Sequence, residues 1–493
     1  MSKLSEDPGL LRLADAVLVP GYAEAYVPDW LAEAIEGGLA GVCWFAQNLD
    51  GVDPAEASDL LRRHRTDLLV LSDEEGGAVS RIEPGGSSWP GNAALGQIDD
   101  VGLTERVAAA MAAGVRAAGI DVMLAPVVDV NSDPANPVIG VRSFGATADL
   151  VGRHGAAFVR GVQSQGIAAC AKHFPGHGAT RTDSHVTLPR VDDGLDVLRE
   201  RDLAPFAAAV EAGVRTVMTA HILFPAVDTE PATMSPAWMR LLRAEVGFEG
   251  VVISDALDMK AISAGVGRGT GAVRALAAGV DLLCIGNPRF AEPYDAHDAW
   301  QEVRHSIATA IADGALAHTR LESAAARVAE LATGLVSERC TATEAPLGVV
   351  DLARQAAWRS MQMVGDPRVG ARVVLVVESA VNVAAGGDAA ARLASGLSSE
   401  LDGVSIVRAV RAAEAAAAAT DALDHRRPVV LVTDGRSGPG HVQAVRAVDP
   451  DSVVVHIGPD GSLPDLAGPS IRTYGTGWTS IETAAALLTG RRG

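Results

Sequence analysis

Cysteine and basic residues are both scarce in this chain of 493 residues. The first three of its four cysteines lie inside apolar, strand-like runs, where a buried thiol is an ordinary occupant. The four are far apart in the sequence: Cys43, Cys170, Cys284 and Cys340. Lysine and arginine number 41 against 61 acidic residues, a net charge of −20. The sequence therefore indicates neither a disulfide framework nor a zinc cluster, and the negative charge disfavours nucleic acid and anionic membranes as partners.

Long apolar runs are also missing. No stretch of about 18 apolar residues occurs, and residues 1–8 lack the basic start and apolar core of a secretory signal. Hydrophobic residues nevertheless make up 48% of the chain, enough for a sizeable core. We therefore expect a globular cytoplasmic protein that recognises a small ligand.

Short apolar runs alternate with helix-length amphipathic segments over the first two thirds of the chain. Strand followed by helix, repeated, predicts parallel strands with crossover helices. The runs end at Pro20, Phe45, Ser72, Pro126, Lys172, Ala220, Asp255 and Gly286. Eight such units over about 250 to 300 residues predict a (β/α)8 TIM barrel.

A second alternation follows this barrel. Residues 337–348 are polar and contain Pro346, which is typical of a linker. A predicted helix over 350–364 then precedes strands near Val373, Ile406, Leu431 and Val454. We expect a barrel domain at 1–336, a linker at 337–348 and a smaller C-terminal α/β sandwich domain at 349–493.

Charged side chains follow the predicted barrel strands where each strand ends. Barrel enzymes carry their catalytic residues on this face, so the set predicts an active site. Its members are Asp73, Arg81, Arg142, Lys172, His173, His221 and Asp255. A single charged residue there is routinely a helix cap, but so many at one face favour catalysis.

Asp255 and the segment TDSHVTLP suggest the chemistry. Asp255 ends the apolar run VVISD, and nearby positive charge would keep its carboxylate ionised as a nucleophile. Asp183 and His185 are two residues apart, so the carboxylate can orient the imidazole and raise its basicity. Read alone, either feature has a structural alternative, a cap for Asp255 and a satisfied turn histidine for His185.

A metal site is the competing interpretation. His173, His177, Asp183, His185 and His221 are residue types that bind zinc in barrel hydrolases. Such enzymes would normally carry a His-x-His pair on the first strand, whereas this chain has Val19-Pro20-Gly21 there. We rank a metal site well below the metal-free interpretation and expect no cofactor.

At these residues the sequence resembles glycoside hydrolase family 3, and within it the NagZ-type β-N-acetylglucosaminidases. The resemblance rests on the segment KHFPGHG at 172–178 followed by DSH at 183–185. Supporting segments are DEEGGAVSR at 73–81, VIGVRSF around Arg142, MTAHILFPAVD from Met218, PATMS from Pro231 and GFEGVVISDALDM ending at Met259. They cover the predicted barrel from end to end.

The resemblance implies a retaining exo-glycosidase. Asp255 would form the glycosyl-enzyme, and His185, assisted by Asp183, would act as acid and then as base. The residues expected to hold the terminal sugar are Asp73, Arg81, Arg142, Lys172, His173 and His221. The implied substrate is a small carbohydrate, a disaccharide or muropeptide containing N-acetylglucosamine (GlcNAc), cleaved during cytoplasmic recycling of peptidoglycan.

Alternatives remain open within the same resemblance. A histidine acid/base leaves room for an anionic acceptor, so a phosphorylase that releases a sugar 1-phosphate is one alternative, and a broad β-glucosidase/N-acetylglucosaminidase is another. Glu74 stands where the family usually has glutamine, which alters the charge next to Asp73. The C-terminal domain would be a structural or substrate-lining partner.

Overall fold

The computed structural model describes ten stretches of the chain. They are residues 7–83, 88–182, 187–290, 292–339, 349–370, 372–378, 389–398, 401–436, 438–463 and 466–491. Contacts between Cα atoms divide the chain into two compact units. Unit 1 comprises 1–74, 104–130 and 147–346, and unit 2 comprises 75–103, 131–146 and 347–493. The C-terminal unit thus also includes two segments from the first third of the chain, of which 75–103 contains helix α4, Asn92–Ile98.

Eight short parallel strands form the barrel of unit 1, as the alternation predicts. They are β1 (Leu18–Pro20), β2 (Gly41–Trp44), β3 (Leu69–Ser72), β4 (Val122–Met123), β5 (Ala168–Phe174), β6 (Thr216–Thr219), β7 (Val251–Ile253) and β8 (Leu283–Gly286). Strands β2 to β7 pair in sequence order, β8 pairs with β1, and a parallel bridge joins Ile253 to Leu282 just before β8. The (β/α)8 fold predicted from the sequence is confirmed.

Helices precede, connect and follow these strands. They are α1 (Pro8–Asp15), α2 (Asp29–Gly37), α3 (Pro54–Arg62), α4 (Asn92–Ile98), α5 (Val101–Ala117), α6 (Ala148–Gln163), α7 (Leu195–Leu198), α8 (Ala204–Glu211), α9 (Pro236–Arg240), α10 (Lys260–Ser263), α11 (Arg268–Ala278), α12 (Ala296–Ala312) and α13 (His318–Arg339). No helix in the described part of the chain is both long and apolar enough to cross a membrane.

The barrel interior is filled by alternate residues of the strands. Side chains two positions apart in a strand point to the same face, and one buried cluster collects such pairs from several strands, among them Leu69 with Leu71 and Ala168 with Cys170. Helix α13 packs Val328, Ala332 and Leu335 against this cluster. The inner faces are thus used for packing, which leaves the strand ends for chemistry.

The buried carboxylate of Asp281, just before β8, connects the segment between α9 and β7 with helix α13. Asp281, which is fully buried, accepts hydrogen bonds from Arg243 Nη2 at 2.7 Å, Arg320 Nη2 at 3.0 Å and Arg327 Nη1 at 3.3 Å. Its Oδ2 also accepts the backbone N–H of Val252 in β7. The buried carboxylate is therefore the shared acceptor of three guanidinium groups, whose side chains are between 19% and 41% exposed.

We expect Asp281→Asn to lower the free energy of unfolding by about 3 kcal/mol, because removing one partner of a buried ion pair leaves the arginines uncompensated. Urea denaturation measures the loss. Glu302→Gln is the matched control, since its partner Arg268 is paired at the surface, and it should cost below about 1 kcal/mol. Equal losses in the two variants would contradict the prediction.

Unit 2 contains a six-stranded sheet and five further helices. The strands are β9 (Gln362–Val364), β10 (Arg372–Glu378), β11 (Gly403–Ala409), β12 (Val429–Thr433), β13 (Val453–His456) and β14 (Ser470–Arg472). The helices are α14 (Val349–Ser360), α15 (Ala389–Ser398), α16 (Ala412–Asp424), α17 (Gly440–Val448) and α18 (Trp478–Thr489). The strand order is β11-β10-β12-β13-β14-β9, and only the β14–β9 pair is antiparallel. The predicted smaller α/β sandwich domain is confirmed as a fold.

The predicted helix over 350–364 is too long, because its last three residues form a strand. Helix α14 ends at Ser360, and residues 362–364 pair with Ser470, Ile471 and Arg472 as edge strand β9. All three residues of β9 are exposed. An edge strand of this kind is fixed by a partner about 100 residues away along the chain, so local sequence patterns do not reveal it.

Candidate functional site

Strand β5 carries Lys172 and His173 near its end, and both are buried. Its seven residues are all buried. Lys172 Nζ donates to Asp73 Oδ1 at 2.6 Å, and the lysine side chain is only 2% exposed whereas that of Asp73 is 22% exposed. The pair joins the ends of β3 and β5 and offers a carboxylate to the solvent side, an arrangement suited to binding sugar hydroxyls.

Asp129, in the segment after β4, organises the turn that follows β5. Its carboxylate is fully buried and accepts three hydrogen bonds, from His173 Nδ1 at 2.8 Å, the His173 backbone N–H at 3.2 Å and the His177 backbone N–H at 2.7 Å. Burial would raise the pKa of Asp129, but His173 outweighs it and holds that pKa below its usual value. The His173 ring therefore donates its Nδ1 proton to an ionised carboxylate, which fixes the ring's orientation.

His177 is held as a neutral imidazole. Burial lowers its pKa to about 4, although the carboxylates of Asp129 and Asp255 act in the opposite direction. Its Nδ1 lies 2.8 Å from Thr180 Oγ1, which itself donates to the His177 carbonyl at 2.9 Å. Thr180 therefore accepts from Nδ1, and the lone pair of the neutral ring is on Nε2.

Asp255 lies immediately beyond β7 and is partly exposed. Its Oδ1 accepts the backbone N–H of Ala256 at 2.8 Å. Burial raises the pKa of the Cys170 thiol in β5 to about 12, with electrostatic contributions from Lys172, Asp73 and Asp255. Lys172, Asp73 and Asp255 thus all lie within electrostatic range of the same buried thiol.

His221 is fully buried and uses both ring nitrogens inside the protein. Its Nε2 lies 3.0 Å from the carbonyl of Ala256, and its Nδ1 lies 2.8 Å from Thr233 Oγ1. A carbonyl only accepts, so Nε2 carries the proton and contributes to fixing the backbone beside Asp255. We therefore propose that His221 supports the Asp255 loop, in place of the sugar contact expected from the sequence.

Glu74, which departs from the usual family residue, is buried and 3% exposed. Its Oε1 accepts from Ser72 Oγ at 3.0 Å. The carboxylate therefore has a partner at the end of β3, next to Asp73.

Arg142 belongs to unit 2, together with Glu75. Its Nε and Nη2 donate to the two carboxylate oxygens of Glu75, both at 2.8 Å, a bidentate pair that fixes the guanidinium plane. Asn92 Nδ2 donates to the Arg142 carbonyl at 2.7 Å. Arg142 and Glu75 line a concave space together with Asn92 and the backbone of Gly91 and Gly475.

The remaining predicted residues are less defined. Arg81 is partly buried in segment 75–103 of unit 2. Asp183 and His185 lie outside the described residues.

In the described part of the chain, one surface group of metal-ligand type occurs, Asp295 with His297 and Asp298, and it contains none of the histidines considered for a metal.

Asp202 packs against the turn after β5. A Cβ on Gly176 would lie 2.8 Å from Asp202 Oδ1, so only glycine fits there. Burial raises the pKa of Asp202 to about 6, even though Arg201 Nη2 donates to Oδ2 at 2.8 Å. The folded state therefore binds the Asp202 proton more tightly than the unfolded chain does. This tighter binding stabilises the folded state fully below about pH 4, and the stabilisation is lost as the pH rises through 6.

We expect Asp202→Asn to remove this penalty. Relative to the unmodified protein, the variant should gain about 2 to 3 kcal/mol in free energy of unfolding between pH 4.5 and pH 7.5, because the amide stays neutral at both. Urea denaturation at the two pH values measures the change. A difference between the proteins that is the same at both pH values would contradict it.

Two residues with clear roles in this geometry had no role in the sequence interpretation. Asp129 was overlooked although it follows a strand as the other candidates do, because the segment VVDV resembles a continuing apolar run. Glu75 was only part of a matching segment. Its pairing with Arg142 joins residues 67 positions apart, which no local spacing indicates.

Comparison with protein families agrees with this picture. The description "Glycosyl hydrolase family 3 N terminal domain" matches residues 31–331. A solved structure of a glycoside hydrolase family 3 β-N-acetylglucosaminidase from Paenibacillus sp. str. FPU-7 is 30% identical, with a TM-score of 0.84, covering 98% of this chain and 97% of that one. The similarity therefore extends over both units.

Two curated relatives match part of the chain. A "Beta-hexosaminidase A" from Pseudoalteromonas piscicida is 35% identical over 340 residues, 63% of this chain and 56% of that protein. A "Beta-hexosaminidase" from Stenotrophomonas maltophilia is 38% identical over 275 residues, 54% of this chain and 80% of that protein. The alignment thus spans little more than half the length of the first relative.

Proposed function

Because the chain belongs to glycosyl hydrolase family 3, we propose that it is a retaining exo-β-N-acetylglucosaminidase. The observation that carries the proposal is the Asp255 carboxylate just beyond β7, partly exposed and within electrostatic range of the same buried thiol as Lys172 and Asp73. The named relatives support the choice of GlcNAc as the released sugar. Peptidoglycan fragments in the cytoplasm are the substrates that the resemblance implies.

In the first step, an oxygen of Asp255 attacks the anomeric carbon and the bond to the leaving oxygen breaks. His185, oriented by Asp183, gives its proton to that oxygen. In the second step, water attacks the anomeric carbon, its proton returns to His185, and the Asp255 ester bond breaks. The β configuration is retained because the carbon is inverted twice.

The polar groups around Asp255 have complementary roles. Lys172 and the exposed side of Asp73 provide a donor and an acceptor for neighbouring hydroxyls. His173, with Nδ1 committed to Asp129, presents Nε2 as its other polar atom. His221 holds the Ala256 carbonyl and so the backbone on which Asp255 is carried.

Turnover of p-nitrophenyl β-N-acetylglucosaminide, with EDTA present, tests the proposal. We expect p-nitrophenol and free GlcNAc of β configuration in the first NMR spectra, with and without phosphate. A 5-fluoro analogue of the substrate should label the peptide that contains Asp255. Conversion to sugar 1-phosphate in phosphate buffer would make the protein a phosphorylase, and an α product would overturn retention.

The Glu75–Arg142 pair gives a further prediction. In the unmodified protein the Arg142 guanidinium donates to both carboxylate oxygens of Glu75, whereas Glu75→Gln leaves it a single acceptor. The orientation of the guanidinium plane is then no longer fixed. We expect KM to rise about tenfold with a smaller change in kcat, since a residue that holds substrate in the ground state is affected. Steady-state kinetics measure both parameters.

Glu74→Gln is the matched control for that variant. It changes the neighbouring carboxylate, bonded to Ser72, into the residue the family usually has there. We expect KM within about twofold of the unmodified enzyme, because Gln still accepts from the serine hydroxyl. A larger effect from Glu74→Gln than from Glu75→Gln would remove the positioning role from Glu75.

A further inference from the structure

Unit 2 contains a buried arginine, Arg392, that has no carboxylate partner in the part of the chain that the structure describes. Arg392, on α15, is 5% exposed, and its Nη2 donates to the carbonyl of Thr476 at 2.7 Å. Its Nε and Nη1 are buried and have no hydrogen-bond partner among the described residues. Burial lowers the pKa of Arg392. A buried cation without a counter-ion is costly, so its retention requires a reason.

The guanidinium lies at the start of helix α18. Its carbon is 5.6 Å from the ring centroid of Trp478, the first residue of the helix, and its bonded partner Thr476 comes two residues earlier. The N-cap of α18 is Gly477, which has no side chain to accept the first N–H groups. A twelve-residue helix thus presents uncapped N–H groups and its positive end beside an uncompensated guanidinium.

A third polar group occurs in the same turn. Ser480, the third residue of α18, is fully buried, and its Oγ has no partner in the part of the chain that the structure describes. A hydroxyl, a guanidinium and helix N–H groups are the donors that bind tetrahedral and planar oxyanions. Thr476 and Trp478 are themselves only half-buried, so the start of the helix is reachable from solvent.

We propose that Arg392 and the first turn of α18 form a binding site for an oxyanion, which neutralises the arginine and accepts from the helix N–H groups. No sequence motif or relative's name assigns a ligand here. The oxyanion has two sources, inorganic phosphate or a carboxylate carried by the aglycone of the substrate. Gly475, one residue before Thr476, lines the same concave space as Arg142, so the second source builds on the proposed glycosidase function.

Binding is measured without turnover, so the test does not depend on the enzyme's activity. The melting temperature of the full-length protein is recorded against rising concentrations of sodium phosphate and of sodium lactate, with sodium chloride at matched ionic strength. We expect a saturating rise with at least one oxyanion in the unmodified protein. In Arg392→Met the rise should disappear. In Ser480→Ala the apparent Kd of the oxyanion should increase at least tenfold.

Arg446→Met is the matched control. Arg446 also lies in unit 2, donates to a carbonyl, that of Pro469, at 3.1 Å, and has a pKa lowered by burial. It is not at the start of a helix, so the saturating rise should persist. An equal response in all variants, or none in the unmodified protein, would overturn the site. If Arg392→Met does not fold, Arg392→Lys and Ser480→Ala decide the matter.

The two sources are then distinguished. Saturation by phosphate and not by lactate identifies free phosphate as the ligand. Saturation by lactate identifies a carboxylate, and the ratio of kcat/KM for a GlcNAc glycoside with a carboxylate in the aglycone over one with a neutral aglycone should then fall about tenfold in Arg392→Met. Binding of lactate without turnover of either glycoside would preserve the site and reject the proposed function.

Discussion

Asp255→Ala is expected to lower kcat by about 10⁴-fold without unfolding the protein. The covalent intermediate cannot form without the carboxylate, and alanine has no atom that can attack the anomeric carbon. The backbone around the residue has its own support, because the Ala256 carbonyl is held by His221 and the Leu257 N–H donates to the Cys284 carbonyl. The expected loss is therefore one of chemistry.

Steady-state kinetics on p-nitrophenyl β-N-acetylglucosaminide measure that loss, and azide gives a second readout. A small anion fits the space vacated by the carboxylate and attacks the anomeric carbon from the same side. We expect azide to restore part of the rate and to yield the α-glycosyl azide, a product that only a missing nucleophile on that face explains. Recovery of rate with a β product would contradict the assignment.

Asp258→Asn is the matched control, since Asp258 is a carboxylate three residues along the same loop. It accepts from the Asn287 backbone N–H at 2.8 Å and from Tyr294 Oη at 3.2 Å. An asparagine oxygen can keep both bonds, so kcat should stay within tenfold of the unmodified enzyme. A loss equal to that of Asp255→Ala would mean that loop structure, and not the nucleophile, limits both variants.

The barrel was predictable because each strand is a short apolar run with a definite end. The run LLVLS ends at Ser72 and AACAK at Lys172, and the polar residues that follow were expected at one face. The ion pair between Lys172 and Asp73 is that expectation realised. Their closeness follows from parallel strand order, which the alternation of strands and helices already implies.

Other parts of the molecule depend on distant partners. Strand β9 is exposed and is defined by pairing with β14, whose three residues, SIR, carry no strand pattern of their own. Residues 75–103 and 131–146 group with the C-terminal segment, and no composition change marks them as part of another unit. The buried hydrogen bonds of His221 to Thr233 and Ala256 likewise cannot be seen in the sequence.

The turn after β5 shows the same division. The segment KHFPGHG marks it in the sequence, but the geometry of the turn comes from Asp129, which lies 44 residues before His173. A buried carboxylate with three donors is a packing arrangement, and its separation along the chain hides it from spacing arguments. Local sequence patterns therefore do not show that Asp129 orients His173.

Asp129→Asn is expected to lower kcat/KM by about 10³-fold, although Asp129 is a positioning residue that we do not expect to touch the sugar. The backbone N–H groups of His173 and His177 both donate to Oδ1, and an asparagine oxygen can keep them. The NH₂ group of the asparagine takes the place of Oδ2 and faces His173 Nδ1, so two hydrogen-bond donors oppose each other. The ring must then move its proton to Nε2, so an acceptor on the ligand side becomes a donor.

The magnitude follows from the reversal of a hydrogen bond in a buried site. A wrong histidine tautomer costs about 10⁴ in kcat where the histidine is the general base. We expect about one order less here, because His173 is expected to bind a hydroxyl. Most of the change should appear in KM, since a contact that exists in ground state and transition state alike contributes uniform binding.

NMR of the His173 imidazole nitrogens separates this mechanism from simple destabilisation, because it reports which nitrogen carries the proton. We expect Nδ1–H in the unmodified enzyme and Nε2–H in Asp129→Asn. Thr180→Val is the control, since it removes the acceptor of His177 Nδ1 and leaves the Asp129–His173 contact intact. Loss of activity in Asp129→Asn with the proton still on Nδ1 would show that the carboxylate's charge, and not the tautomer it selects, is what the site requires.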